Sequence, residues 1–392
     1  MKKIMQLKII LFILVLSATA FSQQTFKFGM NDVSILFPLP AQNNFGQLWG
    51  TDFQTQNGIL LPENYFLRLP VLAFKPNAEI KENIKVIGLR IDPCFNEQVG
   101  PVKCEKQLRL IWQPLSIEQN TVTTLDAAIH TFYSLTDIEF SEIIDSLKKL
   151  NSNYPNRLTA QTFLQLNPIL KTESLTGNYF TSLTQLIEKY AGENKLTRMT
   201  FMAIAGGENV WIFGGFNIQN NQAIPIQIPR INARIQEFRN SAGPMPFWFQ
   251  GGMFPEPKQT PNLNILIKDS RKLAPANEAE IIEATRAAFQ FENPKLNNPG
   301  TVDCVSCHVA QVAKTWAMKQ YPWLDLSTQL SADIYQNANN DIRNASPMQI
   351  HTDIMRSFGY FMNRPFVSQR TINETSEVVN QLNSYAQSME PK

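Results

Sequence analysis

"KQLRLIW" (106–112) alternates strictly: Leu108, Leu110 and Trp112 fall on one side, and Gln107, Arg109 and Gln113 on the other. A period of two predicts a half-buried β-strand. "KVIGLRI" (85–91) reads as a second strand. Around them, Pro recurs at 38, 40, 62, 70, 76, 93, 101 and 114, which disfavours long helices over residues 24–115. Cys94 and Cys104 stand at the inner ends of the two runs, separated by "FNEQVGPVK". Two strands folding back would bring these cysteines together, and in an exported chain the expectation is a Cys94–Cys104 disulfide. A redox or metal-binding pair is the alternative.

Further along, "TTLDAAIHTFYSLTDIEFSEIIDSLKKL" (123–150) carries apolar residues at helical spacing. It is predicted as two helices broken near Thr136 and Asp137, where an N-cap signal stands. His130 falls in the first and reads as a surface or boundary histidine. A further helix is predicted over 179–191, after Gly177. "RMTFMAIAGGENVWIFGGFNI" reads as a hairpin turning at 206–209, and "QAIPIQIPRI" as an edge strand limited by its prolines. Residues 240–262, rich in Pro, Gly and aromatics, read as a loop packed on a sheet or lining an apolar site. Near residue 270 the character changes. Asn277 or a neighbour caps a helix over 278–291, and the remainder reads as a separate, mostly helical unit.

The composition suits a large core. Of 392 residues 17% are charged and 10% aromatic, with 26 Phe, so wholesale disorder is excluded. The N-terminus reads as an export signal over residues 1–22. Lys2, Lys3 and Lys8 precede the apolar run "IILFILVLSATAF", and Ala20 and Ser22 offer a cleavage site. An uncleaved anchor is the alternative. Cleavage would remove three Lys and no acid, leaving 32 basic against 33 acidic residues, a net charge of about −1. No basic run or Arg-rich stripe points to nucleic acid, and no later segment reaches membrane-spanning length. The expected location is the periplasm, the cell surface or the medium.

"TVDCVSCHVA" (301–310) holds two of the four cysteines and one of the three histidines, as Cys304-Val305-Ser306-Cys307-His308. Two Cys three apart on a helical turn present their sulfurs to one side. Haem has two vinyl groups, each able to take one thiol as a thioether. The imidazole after the second Cys is then placed to meet the iron, and this pattern marks c-type haem attachment. Zinc would need two more ligands, for which His130, His351, Cys94 and Cys104 are the candidates. A redox dithiol would want a preceding strand, whereas "LNNPGTVD" reads as a loop.

On these residues, the region from about 275 to 392 resembles a single-haem cytochrome c domain. It shares the order helix, Cys-x-x-Cys-His, methionines and a closing helix, "INETSEVVNQLNSYAQ". The resemblance implies one low-spin haem c and one-electron transfer. It makes His308 the proximal ligand and Met362 in "FMNRPF" the distal one, with Met355, Met348 and His351 as alternatives. Arg356, Arg364 and Arg370 are candidates for the haem propionates, and Trp316 for packing on the porphyrin edge. The expected fold class is therefore α+β. A signal (1–22) precedes a mixed, β-rich N-terminal domain (23–270) and a mostly α-helical, cytochrome c-like domain (271–392). The expected function is electron transfer to a redox partner that the sequence does not specify. Alternatives are a peroxidase-like enzyme using His351, or a surface or binding protein stapled by its haem.

Overall fold

The computed structural model describes residues 26–41, 44–93, 105–154, 162–204, 209–240, 249–258, 263–273, 277–346 and 355–388. The export signal, Cys94, Cys104, Met348 and His351 lie outside these residues, as does most of the turn foreseen at 206–209.

Fourteen strands are described: β1 (Ser34–Leu36), β2 (Gln54–Thr55), β3 (Gly58–Ile59), β4 (Ile84–Asp92), β5 (Gln107–Glu118), β6 (Thr121–Thr124), β7 (Ala128–Ser134), β8 (Leu196–Ile204), β9 (Val210–Gln219), β10 (Gln222–Pro225), β11 (Ile235–Asn240), β12 (Gly251–Phe254), β13 (Phe358–Phe361) and β14 (Arg364–Val367). Ten of them form one sheet, in the order β1-β4-β5-β7-β8-β9-β11-β12, with β6 added to β5 and β10 to β9. Every pairing in it is antiparallel. The two strands foreseen from their patterns are β4 and β5. The hairpin is β8–β9, and β10 is the foreseen edge strand, paired to β9. The longer helices are α1 (Asp137–Ser152), α2 (Asn178–Tyr190), α3 (Glu278–Glu292), α4 (Cys304–Gln320) and α5 (Gln369–Ser388).

The alternation in β5 sorts its side chains as the sequence requires. Leu108, Leu110 and Trp112 are fully buried, in one core with Ile129 and Tyr133 of β7, Phe140, Ile143 and Leu147 of α1, and Tyr179, Leu183 and Ile187 of α2. Both helices begin where foreseen. Thr136 caps α1 by accepting from the Glu139 amide, and Glu139 returns a bond from its carboxylate to the Thr136 amide. Gly177 precedes α2.

Three expectations are corrected. Gly251–Phe254, inside the stretch read as a loop, is strand β12, paired to β11. Ala128–Ser134 is a strand rather than a helix. Ile129, Thr131 and Tyr133 are completely buried on one side, and Ala128, His130 and Phe132 take the other. The period is two, and β-branched and aromatic residues suit a pleated surface. The expected α+β class with a mostly helical, cytochrome c-like C-terminal domain is also overturned, because a large antiparallel sheet dominates and helices do not dominate the C-terminal part. That part contributes the β13–β14 hairpin, and its helices share cores with the sheet. The foreseen stripe Ile372, Val378, Val379 and Leu382 of α5 is buried in the same core as Phe28, Met30 and Val33 near the N-terminus. Asn383 caps the junction, accepting from the Phe28 amide at 2.8 Å. A second core joins Trp211, Phe213 and Phe238 of the sheet to Ile281 and Ala288 of α3 and Val305, Val309 and Ala313 of α4. An amphipathic helix contributes little stability alone and settles wherever apolar surface is offered. Here that surface belongs to the sheet.

Among the described residues no helix is long and apolar enough to cross a membrane. If α5 is integral to the sheet core, Leu382→Ala lowers global stability by roughly 2–5 kcal/mol. Amide-exchange protection in β5 and β7 falls with it. Unchanged protection in those strands would show that α5 is energetically separate.

Candidate functional site

The second face of the sheet, opposite the α1–α2 core, forms one wall of a cavity of about 460 Å³. Its residues follow from strand register. Ile111 stands opposite His130, and His130 opposite Thr200. Two residues along, Arg90, Arg109, Phe132 and Arg198 form a row across four strands. In the other direction lie Ala128, Met202 and Phe213. All of these side chains line the cavity. Its volume falls within the roughly 300–1,000 Å³ of small-molecule and cofactor sites.

The facing wall is built by the loop before α4, the start of α4 and the start of α5. Asp303 caps α4 by accepting from the Ser306 amide at 3.0 Å. The buried Gln236 of β11 donates to Asp303 at 2.9 Å and accepts from the Val305 amide at 2.9 Å. The helix thus starts where the sheet holds it. Cys304, Cys307 and His308 then occupy one face at i, i+3 and i+4, and all three line the cavity. The His308 ring packs on Phe213 at 4.8 Å between centroids. Its Nδ1 bonds the Met355 carbonyl. A carbonyl can only accept, so Nδ1 carries the proton and Nε2 keeps a free lone pair. Burial lowers the His308 pKa against the effect of that carbonyl, which keeps the ring neutral.

Burial pushes the Cys304 thiol up to about 12 and the Cys307 thiol up to about 11, with Asp303 adding to both. Both are free thiols. Neither is poised as the thiolate that a redox dithiol or a thiolate metal centre needs. Among the described residues no group of three or more His, Cys, Asp or Glu side chains is gathered to hold a metal ion.

Charges concentrate at one part of the cavity wall. Arg90 pairs with Asp92 at 2.5 Å and with Glu374 of α5 at 2.8 Å. Arg109 reaches Asp92 at 2.8 Å, and Arg370 reaches Glu374 at 2.6 Å. Burial would raise the Glu374 pKa, but Arg370, Arg90 and Arg109 overcome it and hold the carboxyl far below its usual range. Arg198 has the neutral Asn217 as hydrogen-bond partner at 2.9 Å, and burial lowers its pKa. At the other end Arg356 is buried against Asp126, whose second carboxylate oxygen accepts from the Trp211 indole, and its Nε and Nη1 have no hydrogen-bond partner among the described residues. From Met202 beside Phe213 to Arg198 is four residues along β8, about 13 Å. The cavity therefore runs from an apolar, imidazole-bearing region to a cationic one.

Of the residues foreseen from sequence, Cys304, Cys307, His308, Arg356 and Arg370 meet here. Met362 does not. It sits at the β13–β14 turn with φ 54°, 45% exposed, and its carbonyl accepts from the Thr124 amide. Arg364 is exposed on the same hairpin. Trp316 packs edge-on against Phe249 and Tyr321 in the second core instead of lining the cavity. Met355 is fully buried and contributes its carbonyl. Sequence reasoning missed His130, Arg90, Arg198 and Glu374. The alternation of residues 128–133 would have found His130, placing it on the same face as Ala128 and Phe132.

The residues present fit a c-type haem. Two thiols and a neutral imidazole share one helical face. The wall opposite supplies apolar side chains, and Arg198, whose hydrogen-bond partner is the neutral Asn217, lines the cavity where a carboxylate would need a donor.

Glu374 is held below its unfolded value of 4.5, so its contribution is fully present above that value and is lost as pH falls through the acid range. Glu374→Gln leaves buried guanidinium charge uncompensated and costs about 3–5 kcal/mol. Urea unfolding at a series of pH values checks this. Wild type loses stability below pH 4.5 and the variant loses less, whereas parallel curves would remove Glu374 from the account.

No family model, curated protein or solved structure matches this chain, so the functional reading stands on the residues of the cavity themselves.

Proposed function

We propose that the chain is an exported c-type haem protein that carries single electrons. One observation bears most of the weight: Cys304, Cys307 and His308 open a capped helix and face a cofactor-sized cavity together. When bound, haem supplies one-electron redox chemistry at its iron. The protein supplies attachment, orientation and electrostatics.

Cys304 and Cys307 would hold the haem, each through one thioether to a vinyl group, an addition of S–H across a double bond that needs no oxidant. His308 presents Nε2, because its Nδ1–H is committed to the Met355 carbonyl. Such a bond fixes the tautomer and raises ligand basicity. Phe213, Met202, Ile111 and Val302 exclude water from the imidazole side. Arg198, at the cationic end of the cavity and hydrogen-bonded to the neutral Asn217, would donate to a haem carboxylate. The export signal read at residues 1–22 agrees with this chemistry, since haem is attached to such motifs outside the cytoplasm.

Expression of the full chain with a cytochrome c maturation system tests the proposal. The exported protein is expected to carry the mass of one added haem and a haemochrome spectrum of thioether-linked haem. Cys304→Ala and Cys307→Ala each remove one linkage, and the double variant carries no covalent haem. A mass equal to the bare polypeptide in the matured wild type would overturn the reading. A reversible one-electron titration of the holoprotein tests the electron-transfer role.

A further inference from the structure

We propose that His130 of β7 is the second axial ligand of the haem iron, opposite His308. This inference rests on the haem reading above and specifies its other side.

The argument is one of placement. His130 is the central residue of its row, between Ile111 and Thr200 on neighbouring strands, and its side chain faces the cavity. His308 enters the same cavity from α4 on the facing wall. Among the described residues the His130 imidazole has no hydrogen-bond partner; its recorded neighbour is the edge of Phe132, 6.4 Å between ring centroids. A half-buried imidazole that faces the cavity without a polar partner among the described residues has a lone pair available to a ligand there.

The competitors are placed less well. Met362 is at an exposed turn and does not line the cavity. Met202 does line it, but is fully buried in the apolar cluster with Trp211 and Phe213, its thioether already packed. A rigid central strand of a ten-stranded sheet holds His130, whereas Met362 belongs to a two-residue turn.

The test uses the matured holoprotein and reads spectra and potential. Pyridine haemochrome and mass first establish that haem is attached, so failure of the haem reading is seen separately. Ferric wild type is then expected to be six-coordinate and low-spin, with the near-infrared charge-transfer band of two imidazoles. His130→Ala converts it to high-spin, and added imidazole restores the low-spin form. His130→Met stays low-spin, moves the band to the imidazole–thioether position and raises the midpoint potential. Met202→Leu leaves spectrum and potential unchanged. If His130→Ala does not mature, the wild-type band still decides. An imidazole–thioether band, a five-coordinate high-spin wild type or an unchanged His130→Ala spectrum would each overturn the assignment. The five-coordinate result would favour a peroxidase-like role for His130.

Discussion

Glu374 cannot be buried alone. Taking one carboxylate out of water costs several kcal/mol, and that cost is met here by Arg90 of β4 and Arg370 one helical turn away. Asp92 joins Arg90 and Arg109 to the same group. The network links the start of α5 to strands β4 and β5 of the sheet. The cavity depends on this link, because α5 and the sheet bound it on different sides. The β13–β14 hairpin adds a second tie. Gln113 of β5 accepts from the Tyr360 amide at 2.7 Å and donates to the Tyr360 carbonyl at 3.0 Å. Next to Tyr360 is Gly359, at φ 153°, where a Cβ would lie 2.5 Å from the Gln113 Oε1. That close approach fixes the hairpin and, just before it, Arg356 at the cavity wall.

Local patterns were legible wherever one period dominated. The alternation in "KQLRLIW" gave β5 and assigned both of its faces correctly, the polar one becoming the cavity wall. The caps at Thr136 and Gly177 gave two helix starts. "CVSCH" gave three residues that the fold does bring to one cavity. Residues 128–134 were ambiguous because a short apolar run satisfies both periods, and the helix after Thr136 drew its neighbour with it. Tertiary pairing with β5 and β8 settles it as a strand. The expectation of a mostly helical C-terminal part fails for a different reason. The apolar stripe on α5 shows that the helix is amphipathic, but nothing in it says which surface it will cover.

The site combines two walls of different character. The helical wall is local in sequence and easily read: cap, two cysteines and a histidine within six residues. The sheet wall comes from four strands spread over more than one hundred residues, and only register brings Arg90, Arg109, His130 and Arg198 together. A haem bound between such walls would meet attachment and one imidazole on one side, and a rigid, cation-bearing pleated surface on the other. That differs from a helical haem pocket, and among the described residues Met362, the methionine expected to close it, does not line the cavity.

Crystallographic location of iron in the matured, exported chain, from anomalous scattering at the iron edge, tests this account most directly. The account predicts one iron peak in the cavity between α4 and β7, at bonding distance from His308 Nε2. It also predicts continuous density from Cys304 and Cys307 to the porphyrin. Absence of iron from that cavity, or a Cys304–Cys307 disulfide in its place, would contradict it.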